Sequence, residues 1–293
     1  MPVFLTPSQR FHFDAYGYVL LKNILSADEV NQLKDALYRM KADPDRETKR
    51  VYAHPKSDHH ILMGNLVEYD PALLAYAAHP KLIPLVEEVV GGTVRLEESE
   101  AIINRRDPDV DDQTLSSRRI HPTGFHRGTT PTWGCYEEEG KYHCLFVKTL
   151  AYLTDVGPDD GGTCVIPGSH RIKWKKETTI RAAMEDPTEN LIHQIEATAG
   201  SVLLFAESLI HSTTQIKSDK ERVILISGYT PLCYANGWAT KSAPNSPKPY
   251  PKTFDPSSLA VTIGAGNDIT IENPQKQKKR LIIIRESLSR DGT

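Results

Sequence analysis

Apolar positions change their period along the chain, and the change divides it. Before residue 93 they recur at three- and four-residue intervals, most clearly at Val30, Leu33, Leu37 and Met40, which share one face of a predicted helix. Ser26-Ala-Asp-Glu29 precedes that helix with a capping-box pattern, in which a hydroxyl and a carboxylate each accept from backbone N–H groups that the first turn leaves unpaired. Thr6-Pro-Ser-Gln9 has the same pattern and leads into Phe11 and Tyr16. A short strand is expected at Tyr18 to Leu21. A further helical stretch runs from Pro71 to Val90, broken at His79-Pro80 and ended by Gly91-Gly92. Residues 41–60 are polar and carry His54, His59 and His60 without a diagnostic ligand spacing, so they read as a surface loop.

From Val94 to Ile103 the pattern alternates like a strand, and after it come short apolar runs separated by Gly, Pro and Asp turns. Such runs predict a sandwich or barrel. Strands are expected at His143 to Leu153, Ser201 to Phe205 and Val223 to Tyr229, with turns at Asp155 to Gly162. Asp107 to Arg119 reads as a long charged loop over a pocket mouth, and 171–195 as a charged, partly helical insertion. Pro244 to Pro256 reads as a wrapping loop, and Leu281 to Ile284 as an edge strand. With no internal repeat and no long linker, the chain is expected to be one domain: 1–93 mainly helical support, 94–232 the β core, 233–293 a C-terminal wrapping segment.

Composition narrows the function classes. The 293 residues are 39% hydrophobic and 25% charged, enough for a sizeable core. A net charge of -3 gives no electrostatic reason to expect nucleic acid, and the basic run Lys276 to Arg280 reads as a solvated turn. No apolar run reaches transmembrane length and no signal pattern opens the chain, so a soluble cytoplasmic protein without a membrane partner is expected. Cys135, Cys144, Cys164 and Cys233 show no paired spacing and read as free thiols.

Candidate chemistry gathers between Gly200 and Tyr229. There a buried strand leads to a turn with Glu207 and His211, and Arg222 opens the next strand. If the strands pair, histidine and arginine point into one cavity. A neutral imidazole suits a first-row metal, and a guanidinium offers two parallel donors to a carboxylate. The pair therefore suggests a metal enzyme using an organic acid.

The ordered series of His126, a strand ending Leu153-Thr-Asp-Val156, Gly161-Gly162, Cys164-Val-Ile-Pro-Gly-Ser-His170, and Gly200-Ser-Val-Leu-Leu-Phe205 with His211 and Arg222 resembles the phytanoyl-CoA dioxygenase family of non-haem Fe(II)/2-oxoglutarate-dependent oxygenases. The resemblance covers residues 10–232. It implies a mostly β fold with flanking helices around a double-stranded β-helix, or jelly-roll, core. It implies Fe(II), 2-oxoglutarate and O2 as cofactors and co-substrates, with His126 and His211 as metal ligands. Arg222 would clamp the distal carboxylate of 2-oxoglutarate with help from the Thr213 hydroxyl. His170 would be structural, and His121 and His143 likewise.

One position departs from the family pattern. The family has His-x-Asp, with the aspartate as third ligand, but here Gly128 follows His126-Arg127. Three readings compete. In the first, favoured by the lack of a side chain as in related halogenases, chloride fills the position and the enzyme halogenates. In the second, Glu207 supplies the carboxylate, with Glu137 to Glu139 less suited, and the enzyme hydroxylates. In the third, placed last because His211 and Arg222 persist, the fold only binds a small molecule. Substrate identity is not legible; the default is a small molecule, with Arg127, Trp133, Tyr136 and Trp238 as candidate contacts.

Overall fold

Both capping boxes form where the sequence predicts them. In the computed structural model, which describes residues 4–45, 52–57 and 59–232 and the strands Ala260–Ile263, Ile269–Glu272 and Leu281–Ile283, α1 (Pro7–Tyr16) is capped by Thr6 and Gln9. The chain then forms β1 (Tyr18–Leu21) and α2 (Ala27–Ala42), where Ser26 N donates to Glu29 Oε2 at 2.8 Å. Val30, Leu33, Leu37 and Met40 are buried on one face of α2, as their spacing requires.

Residues 41–60 differ from the expected loop. They contribute β2 (Tyr52–Ser57) and lead into β3 (His60–Gly64), a hairpin whose second strand pairs with β4 (Val94–Asn104) from His60↔Asn104 to Gly64↔Glu100. Polar composition concealed the hairpin, in which β3 buries Met63 and packs Ile61 against the core. Between them lie α3 (Pro71–Ala77) and α4 (Ile83–Val90), separated as His79-Pro80 predicts.

After β4, the expected charged loop contains the short α5 (Asp112–Ser116). There follow β5 (Pro122–His126), β6 (Cys135–Glu138), β7 (Lys141–Cys144), β8 (Val147–Tyr152) and β9 (Thr163–Val165), so the single strand expected at 143–153 is divided in two. Next come α6 (Lys176–Met184), β10 (His193–Gln194), β11 (Val202–Ala206), β12 (His211–Thr214) and β13 (Arg222–Pro231). The strands 260–263, 269–272 and 281–283 are β14, β15 and β16, the last standing at the sheet edge as expected. Pro244 to Pro256, Lys276 to Arg280, Cys233 and Trp238 lie outside the described residues.

Two antiparallel sheets make the jelly-roll. The larger runs β1-β11-β8-β13-β4 and onward to β14-β15-β16; the smaller runs β10-β9-β12-β5. Leu150, Tyr152, Leu203, Phe205, Ile224 and Ile226 of the large sheet meet Val165 and Ile195 in the interior between them. On its outer face the large sheet buries Leu204, Val223 and Leu225 with Leu33, Leu37, Val86 and Val89 of the helices. The sheet thus has an apolar layer on both sides, which is why β11 and β13 read as nearly continuous hydrophobic runs.

Candidate active site

β5 and β12 are neighbours in the small sheet, and their register sets His126 directly opposite His211. The two rings lie 4.2 Å apart between centroids. His126 Nδ1 lies 3.0 Å from Gly124 O and His211 Nδ1 lies 2.9 Å from Leu209 O. A carbonyl can only accept, so each Nδ1 carries a proton, and in the neutral ring it is Nε2 that holds the lone pair. Burial, reinforced by the neighbouring His126, holds His211 well below the usual histidine range and so uncharged.

Glu207 follows β11, and its backbone is fixed at both ends of the peptide unit. Its N–H donates to Phe146 O at 2.9 Å, while its carbonyl accepts from Gly128 N at 2.9 Å and Thr129 N at 3.2 Å. The side chain is consequently laid against Gly128. A Cβ placed on Gly128 would fall on Glu207 Oε2, 3.0 Å from Glu207 Cδ and 3.2 Å from Phe146 Cε1. Glu207 is 1% exposed, and its Oε1 lies 3.8 Å from His211 Nε2 and 3.4 Å from Lys148 Nζ without a hydrogen bond.

Lys148 also stands 2.7 Å from Glu98 Oε1. Burial opposes its charge, but Glu207 and Glu98 outweigh it and hold the ammonium above the usual lysine range. Gly228 makes room for this group as Gly128 does: a Cβ there would lie 2.6 Å from Glu98 Cγ and 3.0 Å from Phe146 Cε2. Among the described residues no three His, Cys, Asp or Glu side chains close around one point as a metal group. The two imidazoles are together, and the carboxylate beside them is drawn toward Lys148.

Further along the same face, Arg222 is 2% exposed. Its Nε donates to Asn104 Oδ1 at 3.1 Å and its Nη2 to Thr213 Oγ1 at 2.7 Å, leaving Nη1 buried with no acceptor. Burial pushes the guanidinium down to about 10. The Tyr152 hydroxyl is a second buried group without a partner. Thr213 lies two residues past His211 on the same face of β12, about 7 Å along the strand. An anion reaching from the histidines to Arg222 would satisfy donors that are otherwise left costly and unpaired.

The remaining sequence candidates lie elsewhere. Trp133 is 81% exposed. Tyr136 stacks on His143 and donates to Val90 O at 3.1 Å, so it belongs to the packing of β6 and β7 on α4. Arg127 is half-buried with one Nη1 unpartnered. His170 is fully buried, with Nε2 3.1 Å from Asp14 O. Sequence reasoning missed Lys148, Glu98, Asn104 and Tyr152; the available signal was a lysine inside the run Phe146-Val-Lys-Thr-Leu-Ala-Tyr152, whose only other polar residue besides the terminal tyrosine is Thr149.

Residues 13–224 match the profile of the phytanoyl-CoA dioxygenase (PhyH) family. The chain belongs to that family. Among curated relatives of this PhyH chain, an uncharacterized protein Rv1501 of Mycobacterium tuberculosis is 21% identical over 73% of the chain and 71% of the relative. The ectoine dioxygenase of Sphingopyxis alaskensis is 26% identical over 57% of the chain and 50% of the enzyme. Among solved structures, HygX from Streptomyces hygroscopicus, with nickel and 2-oxoglutarate bound, superposes with a TM-score of 0.62 at 22% identity, covering 79% of this chain and 89% of HygX. The jelly-roll fold is therefore shared.

Proposed function

We propose that this PhyH-family chain is an Fe(II)/2-oxoglutarate-dependent oxygenase that hydroxylates a small molecule, with His126, His211 and Glu207 as the metal ligands. The observation that carries the proposal is the Glu207 carboxylate, which occupies the space a side chain at position 128 would fill. The donor set suits the metal: two imidazoles whose Nδ1 atoms are taken up by carbonyls, which leaves Nε2 as the coordinating atom, and one carboxylate oxygen, Glu207 Oε1, which has no hydrogen bond. Bound there, iron with 2-oxoglutarate would supply the O2 activation needed to attack an unactivated C–H bond.

The protein's own residues then have separate tasks. Arg222 binds the distal carboxylate of 2-oxoglutarate through its spare Nη1, with Tyr152 as a second donor. Asn104 and Thr213 hold the guanidinium in orientation. Lys148, with its Nζ 3.4 Å from Glu207 Oε1, steadies that carboxylate, and the apolar interior of Phe205, Ile224 and Ile226 excludes water. A small-molecule substrate accords with HygX, which has been solved with hygromycin B bound.

Gly128 itself favours a second reading, halogenation with chloride on the metal. Anaerobic Fe(II) titration in the presence of 2-oxoglutarate separates the two. Glu207→Gln is expected to weaken iron binding severely, chloride is expected to change nothing, and His126→Ala and His211→Ala are each expected to abolish the metal–keto-acid absorbance. Parent-like iron affinity in Glu207→Gln, together with a chlorine isotope pattern in product, would replace the first reading with the second.

A further inference from the structure

The β6–β7 hairpin brings two cysteines face to face. Its turn residues, Glu139 and Gly140, have φ of 49° and 73°, left-handed at both positions as a two-residue type I′ turn requires. In such a hairpin the closing pair, Glu138 and Lys141, is hydrogen-bonded, and bonded and non-bonded pairs alternate from there. Cys135 and Cys144, three pairs from the turn, therefore form a non-hydrogen-bonded pair. The next pair is bonded again, since Leu145 N donates to Gly134 O at 2.7 Å. Non-bonded pairs bring Cα atoms to about 4.5 Å, within the span of a disulfide. The two Sγ atoms are 3.7 Å apart, so side-chain rotation suffices to join them.

We propose that Cys135 and Cys144 are a modification site, a dithiol that hydrogen peroxide converts to a cross-strand disulfide. The surroundings give the two sulfurs different roles. Cys135 is half-buried and receives the Tyr142 hydroxyl hydrogen at 2.7 Å. Its hydrogen bond with Cys144, aided by Ser208, Tyr142 and the charge of Arg127, pulls its thiol down to about 7. Cys144 is fully buried, its single S–H is shared between Cys135 and Phe146 O, 3.0 Å away, and burial pushes its thiol well above the usual range. Cys135 is thus the accessible thiolate and Cys144 the resolving thiol.

In the first step the Cys135 sulfur attacks one peroxide oxygen, the O–O bond breaks, and hydroxide leaves; Cys135 becomes a sulfenic acid. In the second, the Cys144 sulfur attacks the Cys135 sulfur, the S–O bond breaks, and the departing oxygen leaves as water with the Cys144 proton. Two thiols and one peroxide give one disulfide and two waters. The change is felt next to Glu207: Phe146 O, which loses the Cys144 hydrogen, also accepts from Glu207 N, and the Tyr142 hydroxyl lies 2.8 Å from Ser208 Oγ.

The test uses the full-length protein, treated with a small molar excess of hydrogen peroxide, quenched, denatured, alkylated with iodoacetamide and mapped by mass spectrometry. Expected are a loss of two hydrogen masses, reversal by a reducing agent, and a cross-linked peptide pair containing Cys135 and Cys144, with Cys164 still alkylated. Cys144→Ser is expected to leave a dimedone-reactive sulfenic acid at Cys135, and Cys135→Ser to show neither cross-link nor dimedone adduct. The proposal is overturned if the parent keeps both thiols alkylatable, if Cys135 goes to sulfinic acid while Cys144 stays free, or if the cross-link runs to Cys164 or Cys233. The parent peptide map decides even if a serine variant folds poorly.

Discussion

Gly128→Ala adds one methyl group where the site is most crowded. Gly128 does not have a positive φ, so alanine brings no backbone strain and acts through contact alone. The new Cβ would fall on Glu207 Oε2 and reach 3.2 Å from Phe146 Cε1. Glu207 has little freedom to retreat, being 1% exposed and held by backbone hydrogen bonds to Phe146, Gly128 and Thr129. Overpacking of this kind costs about 1–3 kcal/mol, which lowers Tm by roughly 2–10 °C in a chain of this size. On the proposed ligand set it also displaces the third metal donor, and Fe(II) affinity should fall at least about 10-fold. A thermal melt and an anaerobic Fe(II) titration read both effects. In the double variant Gly128→Ala/Glu207→Ala the methyl group enters vacated space, so the stability losses should be less than additive while iron binding stays weak. If position 128 instead makes room for a halide, alanine is accommodated; parent-like melting and parent-like iron affinity in Gly128→Ala would refute the reasoning.

Three further outcomes are expected. Arg222→Lys keeps the charge but loses the planar fork, so 2-oxoglutarate binding measured by calorimetry should weaken by about 1.5–3 kcal/mol; unchanged binding places the anchor elsewhere. Lys148→Met leaves Glu98 and Glu207 facing one another without their shared cation, and urea unfolding should show a loss of about 3 kcal/mol, whereas parent-like stability would mean that the cluster contributes nothing. Burial holds His170 down to about 4, so between about 6.5, where the unfolded chain's histidine takes up a proton, and about 4, where the folded one does, stability should fall with pH by up to about 3 kcal/mol. His170→Gln should lack that part of the slope, and an identical pH profile would show that His170 does not titrate as its burial requires.

The fold was legible wherever one physical cause acted locally. Ser26 and Glu29 cap α2 through contacts three residues apart, and Val30, Leu33, Leu37 and Met40 bury the face their spacing defines. β11 and β13 were legible because both their faces are covered, which leaves no polar alternation to obscure them. The β2–β3 hairpin was not, because its place is set by pairing with β4 some forty residues later rather than by its own polar composition. In the candidate site, the ordered motif series singled out His126, His211 and Arg222, and the fold sets the two histidines opposite each other. It could not show that Asn104, at the far end of β4, holds the Arg222 side chain, since that contact spans more than a hundred residues.

Position 128 shows how far a sequence pattern reaches and where packing takes over. The sequence records that a side chain is missing; the structure records what stands in its place. Gly128 and Thr129 both donate to the Glu207 carbonyl, so the loop after β5 is joined to the turn after β11, and the join lays the carboxylate beside His211. That geometry weighs on the choice between halide and carboxylate. A chloride about 4 Å from the Glu207 carboxylate would meet a repulsion of about 4 kcal/mol at an effective dielectric constant of about 20. Lys148, already 2.7 Å from Glu98, is shared between two carboxylates and offsets only part of it. Chloride binding would therefore require Glu207 to swing away or to take up a proton, whereas iron binding through Glu207 requires only that Oε1, now 3.8 Å from His211 Nε2, turn toward the metal.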